Sequence, residues 1–500
     1  MSAHSPLSPD EAGVFLKYLL LEGLESGEIR YWRVRRQTDA VIPLRRRLEE
    51  LLGGIQESAR VTRELEVVPG IAWDTLDRSL IASLFYQHRL IDLALEAVLS
   101  EPLAPELCVK FSPSPQGVFP AALQGTVNHA VIFASPVFFT HEFYPLAVDA
   151  FVHDSERFGR PRTNVMGAHM EWMTENDKLK RIIYLDFTSG RLIETDLAVP
   201  IRPDSVQFLC LGAQEQEKHN AISQRFNCAQ VNPASISRLA DDKAATLSGW
   251  SALGLEIPAY QEISAGDLAT AFRFLDNFAE IVVKPNQSTE GKHVAFFRRG
   301  QVHTKAALER HLHRCWKRGS AIVQQRRDGV FFRNPASGTN QTLALRLNIA
   351  FDGERHCLES GYAQLGRDEQ HPAACGRGGY IVAVDEILSV LTSRLAAGGK
   401  PIRLVAKDWR RIREQSERAA GLFQGLILIG LDVLLDHDEH GSIIPVFLEA
   451  NPRPAGLSHS RLLADVPLTE ARIGVSLKLW DGLAHQSQPC ADQSPHKEFL

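Results

Sequence analysis

The spacing of apolar and polar positions changes along the chain. In residues 1–105, Ser8 and Glu11 have the spacing of a helix capping box, and residues 80–99, LIASLFYQHRLIDLALEAVL, are the most apolar helix candidate. This region is therefore predicted to be mostly helical. From about residue 106 to 205 short apolar runs such as HAVIFASPVFF take over, and such runs are typical of buried strands.

Strands and helices then alternate. The segment IIYLDFTSGRLIETDL predicts a hairpin with its turn at residues 188–190. The strand SVQFLCLGA and the helical QEQEKHNAISQRF follow it, and AQVNPASISRLADDK leads into a new domain. The pattern predicts an α/β unit over residues 106–231.

A loop of small residues joins two strand candidates in AEIVVKPNQSTEGKHVAFF, at residues 281–284 and 293–297. The loop contains Ser288, Thr289 and Gly291, and Lys284 lies next to it. Small residues let backbone N–H groups approach phosphate oxygens, and a lysine adds positive charge. An ordinary turn is the alternative interpretation.

The segment GLILIGLDVLLDHDEHGSIIPVFLEANPRP predicts an antiparallel hairpin, because two apolar strands flank a turn-rich DHDEHG. Asp432 on the first strand then lies near Glu449 on the second, and strand alternation puts Asn451 and Arg453 on the same face as Glu449. Two carboxylates in an apolar setting need a cation or a proton. Two carboxylates and a carboxamide suit Mg²⁺ that bridges phosphates.

An arginine lies inside another predicted strand, TLALRLNIAFDGE. Arg346 has apolar neighbours, and two interpretations stay open for it. It is either a surface residue whose stem packs along the sheet or a cation that points into a cleft.

Composition and charge narrow the class of protein. The chain has 500 residues, 44% hydrophobic and 23% charged, with a formal net charge of −5, which predicts two to four globular domains and neither nucleic acid nor a membrane as partner. Seven cysteines without a CxxC pair fit reduced thiols in a cytoplasmic protein. Residues 80–99 are too polar to span a bilayer, and no signal peptide is predicted at the N-terminus.

In these motifs and their order, residues 232–463 resemble the ATP-grasp superfamily, in particular catalytic domains of the D-alanine–D-alanine ligase and glutathione synthetase type. The resemblance implies an α/β (α+β) fold in which two subdomains hold ATP between them. The implied domains are a mostly helical N-terminal region with some β structure at 1–105, an α/β pre-grasp and substrate domain at 106–231, a first grasp subdomain at 232–330, a second at 331–480, and a polar tail at 481–500.

The resemblance also implies roles for particular residues. Those that contact ATP are Lys243, Lys284, Gln287, Ser288, Thr289, Gly291, Val323, Gln324 and Gln325. Mg²⁺, with Mn²⁺ as the alternative, is held by Asp432, Glu449 and Asn451, while Arg346 and Arg453 contact the phosphoryl group or the substrate. The chain departs from the family pattern at Gln324, where glutamate is frequent, and in having one glycine in the phosphate loop.

The activity implied is that of an ATP-dependent ligase. It activates a carboxylate as an acyl phosphate and joins it to an amine, with small amino-acid-like substrates and release of ADP and phosphate. Residues 366–382, with Arg367 and Arg377, are either a lid or an ordinary exposed loop. The open alternatives are a ligase with a non-amine acceptor and a catalytically silent ATP-binding regulatory protein; a homodimer is a further expectation from the family.

Overall fold

The structure is a computed structural model. It describes residues 17–23, 28–34, 85–86, 89–90, 97–102, 109–111, 119–133, 140–188, 190–209, 220–287, 293–327, 329–334, 338–373, 380–382, 384, 391–393, 401–453, 479–480 and 483. These residues form an α+β protein, as the sequence predicts. None of the described helices is long and apolar enough to cross a membrane.

The first half of the described chain is mostly strands. In chain order its elements are β1 (Lys17–Gly23), β2 (Glu28–Val34), β3 (Phe85–Tyr86), β4 (Arg89–Leu90), β5 (Ala97–Pro102), β6 (Val109–Phe111), β7 (Val127–Phe133), α1 (Thr140–Phe158), β8 (Thr163–His169), a 3₁₀ turn (Met170–Trp172), β9 (Leu179–Asp186), β10 (Arg191–Ile201), β11 (Ser205–Leu209) and β12 (Ala229–Val231).

Most of these strands belong to one mixed sheet, which we call the N-terminal sheet. Its order is β1-β2-β6-β10-β9-β8-β7-β11-β12, with β5 paired to β2. The strands β8, β7, β11 and β12 run parallel, and α1 forms the crossover from β7 to β8. The predicted hairpin is present as the antiparallel pair β9–β10, and the run HAVIFASPVFF contributes β7.

The described parts of residues 1–105 differ from the helical prediction. The run KYLLLEG forms β1 and pairs with EIRYWRV in β2, and within residues 80–99 the described pieces are extended. The aromatic and β-branched residues of β2 suit a pleated surface, so strand pairing outweighs the helical spacing read from single segments. The rest of residues 1–105 lies outside the described residues.

The second half alternates helices and strands. Its elements are α2 (Ala234–Asp241), α3 (Lys243–Ala252), β13 (Tyr260–Ile263), α4 (Leu268–Asn277), β14 (Glu280–Pro285), β15 (Ala295–Arg298), α5 (Thr304–Trp316), β16 (Ala321–Gln325), β17 (Val330–Arg333), β18 (Asn340–Gln341), β19 (Leu343–Phe351), β20 (His356–Leu365), β21 (Tyr380–Val382), β22 (Leu391–Ser393), β23 (Pro401–Ile402), α6 (Ala406–Ala420), β24 (Leu428–His437) and β25 (Ile443–Asn451).

Three antiparallel sheets are built from these strands. The β14 sheet has the order β13-β16-β14-β15 and is covered by α4 and α5. The β24 sheet has the order β21-β20-β19-β24-β25 and is covered by α6, while β18-β17-β22-β23 form a smaller sheet beside it. The predicted hairpin around DHDEHG is the pair β24–β25, and the side chain of Asp438 accepts hydrogen bonds from the backbone of its turn.

Two helices pack across the predicted boundary of the grasp subdomains. α2 and α3 fall within residues 232–330 in sequence, yet they pack on β25, and Trp250 of α3 contacts Phe423 and Phe447. The apolar face of α3 therefore contributes to the core of the β24 sheet. The β14 sheet has a separate core of its own with α4 and α5.

The chain returns to the N-terminal sheet near its end. Leu479, Trp480 and Leu483 are buried in the core of that sheet, although residues 479–480 fall within the predicted second subdomain and residue 483 within the predicted tail. Trp480 stacks edge-on against His129 of β7, with ring centroids 5.0 Å apart.

His129 gives this core a predicted pH dependence. Its Nδ1 lies 2.8 Å from Ser205 Oγ, and burial lowers its pKa to about 4, against a hydrogen bond with Gln207 that raises it. The folded protein thus holds the imidazole neutral, whereas the unfolded chain takes up its proton near pH 6.5. We expect stability to fall by about 3 kcal/mol as the pH drops from 6.5 to 4.

Urea unfolding at several pH values checks this expectation. The variant His129→Gln should lose less stability over the same pH range, while His313→Gln, which changes an exposed histidine, should behave as the wild type does. Equal acid sensitivity of His129→Gln and wild type would contradict it.

Candidate active site

Two lysines from different elements meet one carboxylate between the β14 and β24 sheets. Lys284 Nζ lies 3.5 Å from Glu449 Oε2, and Lys243 Nζ lies 3.7 Å from the same oxygen. Both lysine side chains are buried, and Glu449 is partly buried. Lys284 comes from β14 and Glu449 from β25, so this contact joins the two sheets, and we call the faces that carry these two side chains the cleft faces.

The start of α3 fixes Lys243. Asp242 caps the helix by accepting a hydrogen bond from the backbone N–H of Ala245, so Lys243 is the first residue of α3. Asn286 binds this end from the β14 side: its Oδ1 accepts from the Ala244 N–H at 3.0 Å, and its backbone oxygen lies 3.3 Å from Lys243 Nζ. Sequence reasoning missed Asn286, although its place directly after Lys284-Pro285 is a usable signal.

Arg346 takes the cleft-facing alternative of its two predicted positions. Its Nε donates to Asp432 Oδ1 at 2.5 Å and its second terminal nitrogen donates to Asp432 Oδ2 at 3.0 Å, which is a bidentate ion pair. The two residues are direct neighbours in the β19–β24 register. A paired guanidinium of this kind is held in a fixed direction, which suits it to orient an anion.

A β-bulge turns Glu449 toward this cluster. Asp432 pairs with Glu449, but Val433 pairs with Phe447, so Leu448 is an extra residue in β25. Phe447 and Ala450 both belong to the core, and regular alternation from Phe447 would have pointed Glu449 into that core as well. Bulges that re-aim a side chain in this way are frequent beside active sites. The bulge was not predicted from the sequence.

The oxygen atoms near the bulge fit a hard metal ion. Asp432 and Glu449 are paired across β24 and β25, and Asn451 Nδ2 donates to Asp432 Oδ2 at 3.4 Å. Within the described part of the chain no three His, Cys, Asp or Glu side chains gather, so this set offers two carboxylates and one amide. Mg²⁺ usually takes only one or two protein carboxylates and fills the rest of its shell with water and phosphate.

The charges of the cluster shift each other's pKa. Burial would raise the pKa of Glu449, but Lys243 and Lys284 outweigh it and hold that pKa at about 2. For Asp432 burial dominates over Arg346 and raises the pKa. Burial lowers the pKa of Lys284 despite Glu449, and Asp432 outweighs burial to raise the pKa of Arg346. Of these two neighbouring carboxyl groups, Asp432 is thus the one that is more readily protonated.

The predicted adenine hinge divides between two faces of β16. Val323 belongs to the core that α4 and α5 cover, so its side chain points away from the cleft. Gln324 pairs with Val282 two residues before Lys284 on β14, and therefore lies on the same face as Lys284. Gln324 is 2% exposed, and its Nε2 has no hydrogen-bond partner among the described residues. The backbone N–H of Gln325 donates a hydrogen bond to the backbone oxygen of Ala259.

Other predicted residues are placed away from the cluster or not described. Arg453 is buried and pairs with Asp241 at the end of α2, a partner that the sequence did not reveal. Gln287 is exposed at the end of β14. Ser288, Thr289 and Gly291 lie outside the described residues, as does Arg377 of the predicted lid, whereas Arg367 is described and exposed.

Comparison with known proteins finds likeness in solved structures only. No family model matches the chain, and no curated protein sequence matches it. The D-Ala:D-Ser ligase VanG from Enterococcus faecalis is 12% identical, covering 72% of this chain and 99% of its own, with a TM-score of 0.44. The D-cycloserine synthetase DcsG is 17% identical with the same coverage and a TM-score of 0.45. The ATP-grasp ligase PsnB, complexed with a minimal precursor, is 15% identical, again with 72% and 99% coverage, and has a TM-score of 0.38.

The shared carboxylate makes a stability prediction. In Glu449→Gln the two buried lysines lose their common anion, so we expect the protein to lose about 3 kcal/mol of stability, the lower end for a broken buried ion pair because Glu449 is partly exposed. Its melting temperature should fall by a few degrees. Pyrophosphate without metal should restore more stability to this variant than to the wild type, because it supplies the missing anion.

Glu280→Gln is the matched control. Glu280 also joins two cations, Arg298 at 3.2 Å and Arg326 at 3.1 Å, but outside the cluster. This variant should melt at a lower temperature without any added rescue by pyrophosphate. Equal rescue of both variants would show that pyrophosphate does not act at the two lysines.

Proposed function

We propose that this chain is an ATP- and Mg²⁺-dependent ligase, which activates a carboxylate as an acyl phosphate and joins it to an amine, with release of ADP and phosphate. One observation carries the proposal: two buried lysines, the partly buried Arg346 and two carboxyl groups form one cluster where α3 and the β14 and β24 sheets meet. The resemblance of the sequence motifs to the ATP-grasp family supports the same conclusion.

The cluster is complementary to a metal–nucleotide pair. Each carboxyl group of the cluster forms an ion pair with at least one cation. A metal ion that binds the carboxylates would leave the lysines and Arg346 without these partners. A polyphosphate that binds the cations would leave the carboxylates without theirs. A divalent metal together with a nucleotide satisfies both sets at once, whereas either ligand alone leaves buried charge unpaired. The site thus favours the two ligands together.

Asp432, Glu449 and Asn451 would hold Mg²⁺, with Mn²⁺ as the alternative. When bound, the metal ion neutralises charge on the nucleotide phosphates, which otherwise repel an incoming carboxylate. The carboxamide oxygen of Asn451 would be a neutral ligand, so the negative charge of the three ligands comes from Asp432 and Glu449 alone.

The lysines and Arg346 have separate tasks in this proposal. Lys243 and Lys284 bind and orient the phosphates. A carboxylate oxygen of the substrate attacks the γ-phosphorus, and the bond between the γ-phosphorus and the oxygen that stays with ADP breaks. Arg346 stabilises the charge on the phosphoryl group that is transferred. The amine nitrogen then attacks the acyl carbon, loses a proton, and phosphate leaves with both bonding electrons. Gln324, with its free Nε2 on the cleft face, would donate to the nucleotide.

The proposed substrate class follows from the family resemblance. We propose an amino-acid-like carboxylate and small-molecule substrates, with neither nucleic acid nor membrane as partner, on the resemblance of the motifs; Arg453 is already paired with Asp241. The protein would act in the cytoplasm.

Release of ADP and phosphate by the purified protein tests the proposal. With Mg²⁺ and ATP, release should require both a carboxylate and an amine from defined pools, and Glu449→Gln should abolish it. Release with a carboxylate and a thiol would favour the ligase with a non-amine acceptor. Metal-dependent ATP binding without turnover in any pool would favour the silent regulatory protein, and failure to bind ATP would refute the proposal.

Arg346→Lys provides a sharper test of the mechanism. Lysine keeps the charge but cannot form the bidentate pair with Asp432, so kcat should fall about 10²–10³-fold while ATP affinity changes little. Arg327→Lys is the matched control, because Arg327 donates to Asp436 at 2.8 Å on the same strand β24 but beyond the cluster. An unchanged kcat in Arg346→Lys would contradict the assigned role.

A further inference from the structure

One buried asparagine lies where the N-terminal sheet meets the β24 sheet. Asn232 follows β12 and is 3% exposed. Its Oδ1 accepts hydrogen bonds from the backbone N–H groups of Ile427 at 2.8 Å and Leu428 at 3.3 Å. Its Nδ2 donates to the backbone oxygens of Leu428 and Pro452. A carboxamide has two donors and two acceptor positions, so Asn232 uses all four.

The backbone of Asn232 is also unusual. Its φ is +54°, in the left-handed region, and Pro233 follows it directly. Asparagine enters this region more readily than most residues, but a buried non-glycine residue stays there only when its surroundings hold it. The side-chain hydrogen bonds supply that restraint, since they tie Asn232 to two separate strands.

The contact with Pro452 acts on the end of β25. Pro452 lies between Asn451, whose carboxamide faces Asp432, and Arg453, which pairs with Asp241. Asn451 is the last residue of β25, so the strand ladder restrains the chain on one side of it only. The hydrogen bond from Asn232 Nδ2 to the Pro452 oxygen restrains the peptide group between Pro452 and Arg453, one residue beyond Asn451.

The other contacts of Asn232 fix the same region from β24. Leu428 begins β24, and Gly430, two residues later, offers its backbone oxygen to Asn451 Nδ2 at 3.4 Å. Asn232 thus joins the start of the strand that carries Asp432 to the end of the strand that carries Asn451. This side-chain bridge adds to the β24–β25 ladder, which itself ends at the pair Gly430–Asn451.

We propose that Asn232 is a positioning residue, which sets the direction of the Asn451 carboxamide toward the metal by holding the Pro452 peptide against the start of β24. The inference rests on the proposed function, because it assigns a supporting group to the proposed Asp432–Glu449–Asn451 site. Groups that hydrogen-bond metal ligands directly are worth roughly 10–100-fold in metal affinity, and Asn232 acts one residue further away, so we expect the lower end of this range.

Mn²⁺ binding tests the proposal without turnover. Mn²⁺ is titrated into the full-length protein in the presence of ADP, and electron paramagnetic resonance gives both the dissociation constant and the spectrum of the bound ion. Asn232→Asp is nearly isosteric, but it replaces the two donors with an oxygen that faces two carbonyl oxygens. We expect it to weaken Mn²⁺ binding about tenfold and to alter the spectrum of the bound ion.

A double-mutant cycle separates positioning from general destabilisation. If Asn232 acts through Asn451, Asn232→Asp should weaken Mn²⁺ binding little further once Asn451→Ala is present. Asn164→Asp is the matched control: Asn164 is also buried and accepts from the Gly125 N–H at 2.7 Å while donating to Gly125 and Asn128, far from the cluster in sequence and in the N-terminal sheet. It should lower the melting temperature and leave Mn²⁺ affinity unchanged.

A second variant covers failure of Asn232→Asp to fold. Asn232→Gly suits a φ of +54° and removes all four hydrogen bonds, so it should show the same loss of Mn²⁺ affinity. Wild-type affinity in either folded variant, or full additivity with Asn451→Ala, would overturn the inference alone. Absence of Mn²⁺ binding by the wild type with ADP would instead overturn the proposed function, and the inference with it.

Discussion

The site depends on one carboxylate that two lysines share. Glu449 forms ion pairs with Lys243 of α3 and with Lys284 of β14, so its two cations come from two different elements. Two buried ammonium groups beside each other are tolerable only with an anion between them. The bulge at Leu448 places that anion, since regular alternation would have buried Glu449 in the core. The bulge in β25 therefore determines where Glu449 points, and the position of Glu449 determines whether the two lysines have an anion.

Local patterns revealed the parts of the site that depend on neighbours in sequence. The β24–β25 hairpin needs only turn chemistry, and the structure confirms it. The predicted hairpin also placed Asp432 near Glu449, as the structure does. The bulge, by contrast, has no signal in VFLEAN, because an extra residue is defined by the partner strand and not by the strand itself.

The remaining errors and omissions have the same origin. KYLLLEG has an apolar run that either a helix or a strand can bury, and its pairing with EIRYWRV decides for the strand. Trp480 and Asp241 carry no local mark of their partners His129 and Arg453, which lie hundreds of residues away in the chain. Asn232 was visible only as the residue before a proline, and its four hydrogen bonds all reach residues beyond position 420.

The division of the cores separates the two lysines that share Glu449. Ala350 and Leu428 of the β24 sheet, with Ile427 just before β24, share a core with the N-terminal sheet. The β14 sheet has its own core and contributes Ile322 of β16 to the core of the β24 sheet. Lys284 belongs to the separately packed β14 sheet, whereas Lys243 begins a helix that packs on β25, so the two counterions of Glu449 come from two different cores.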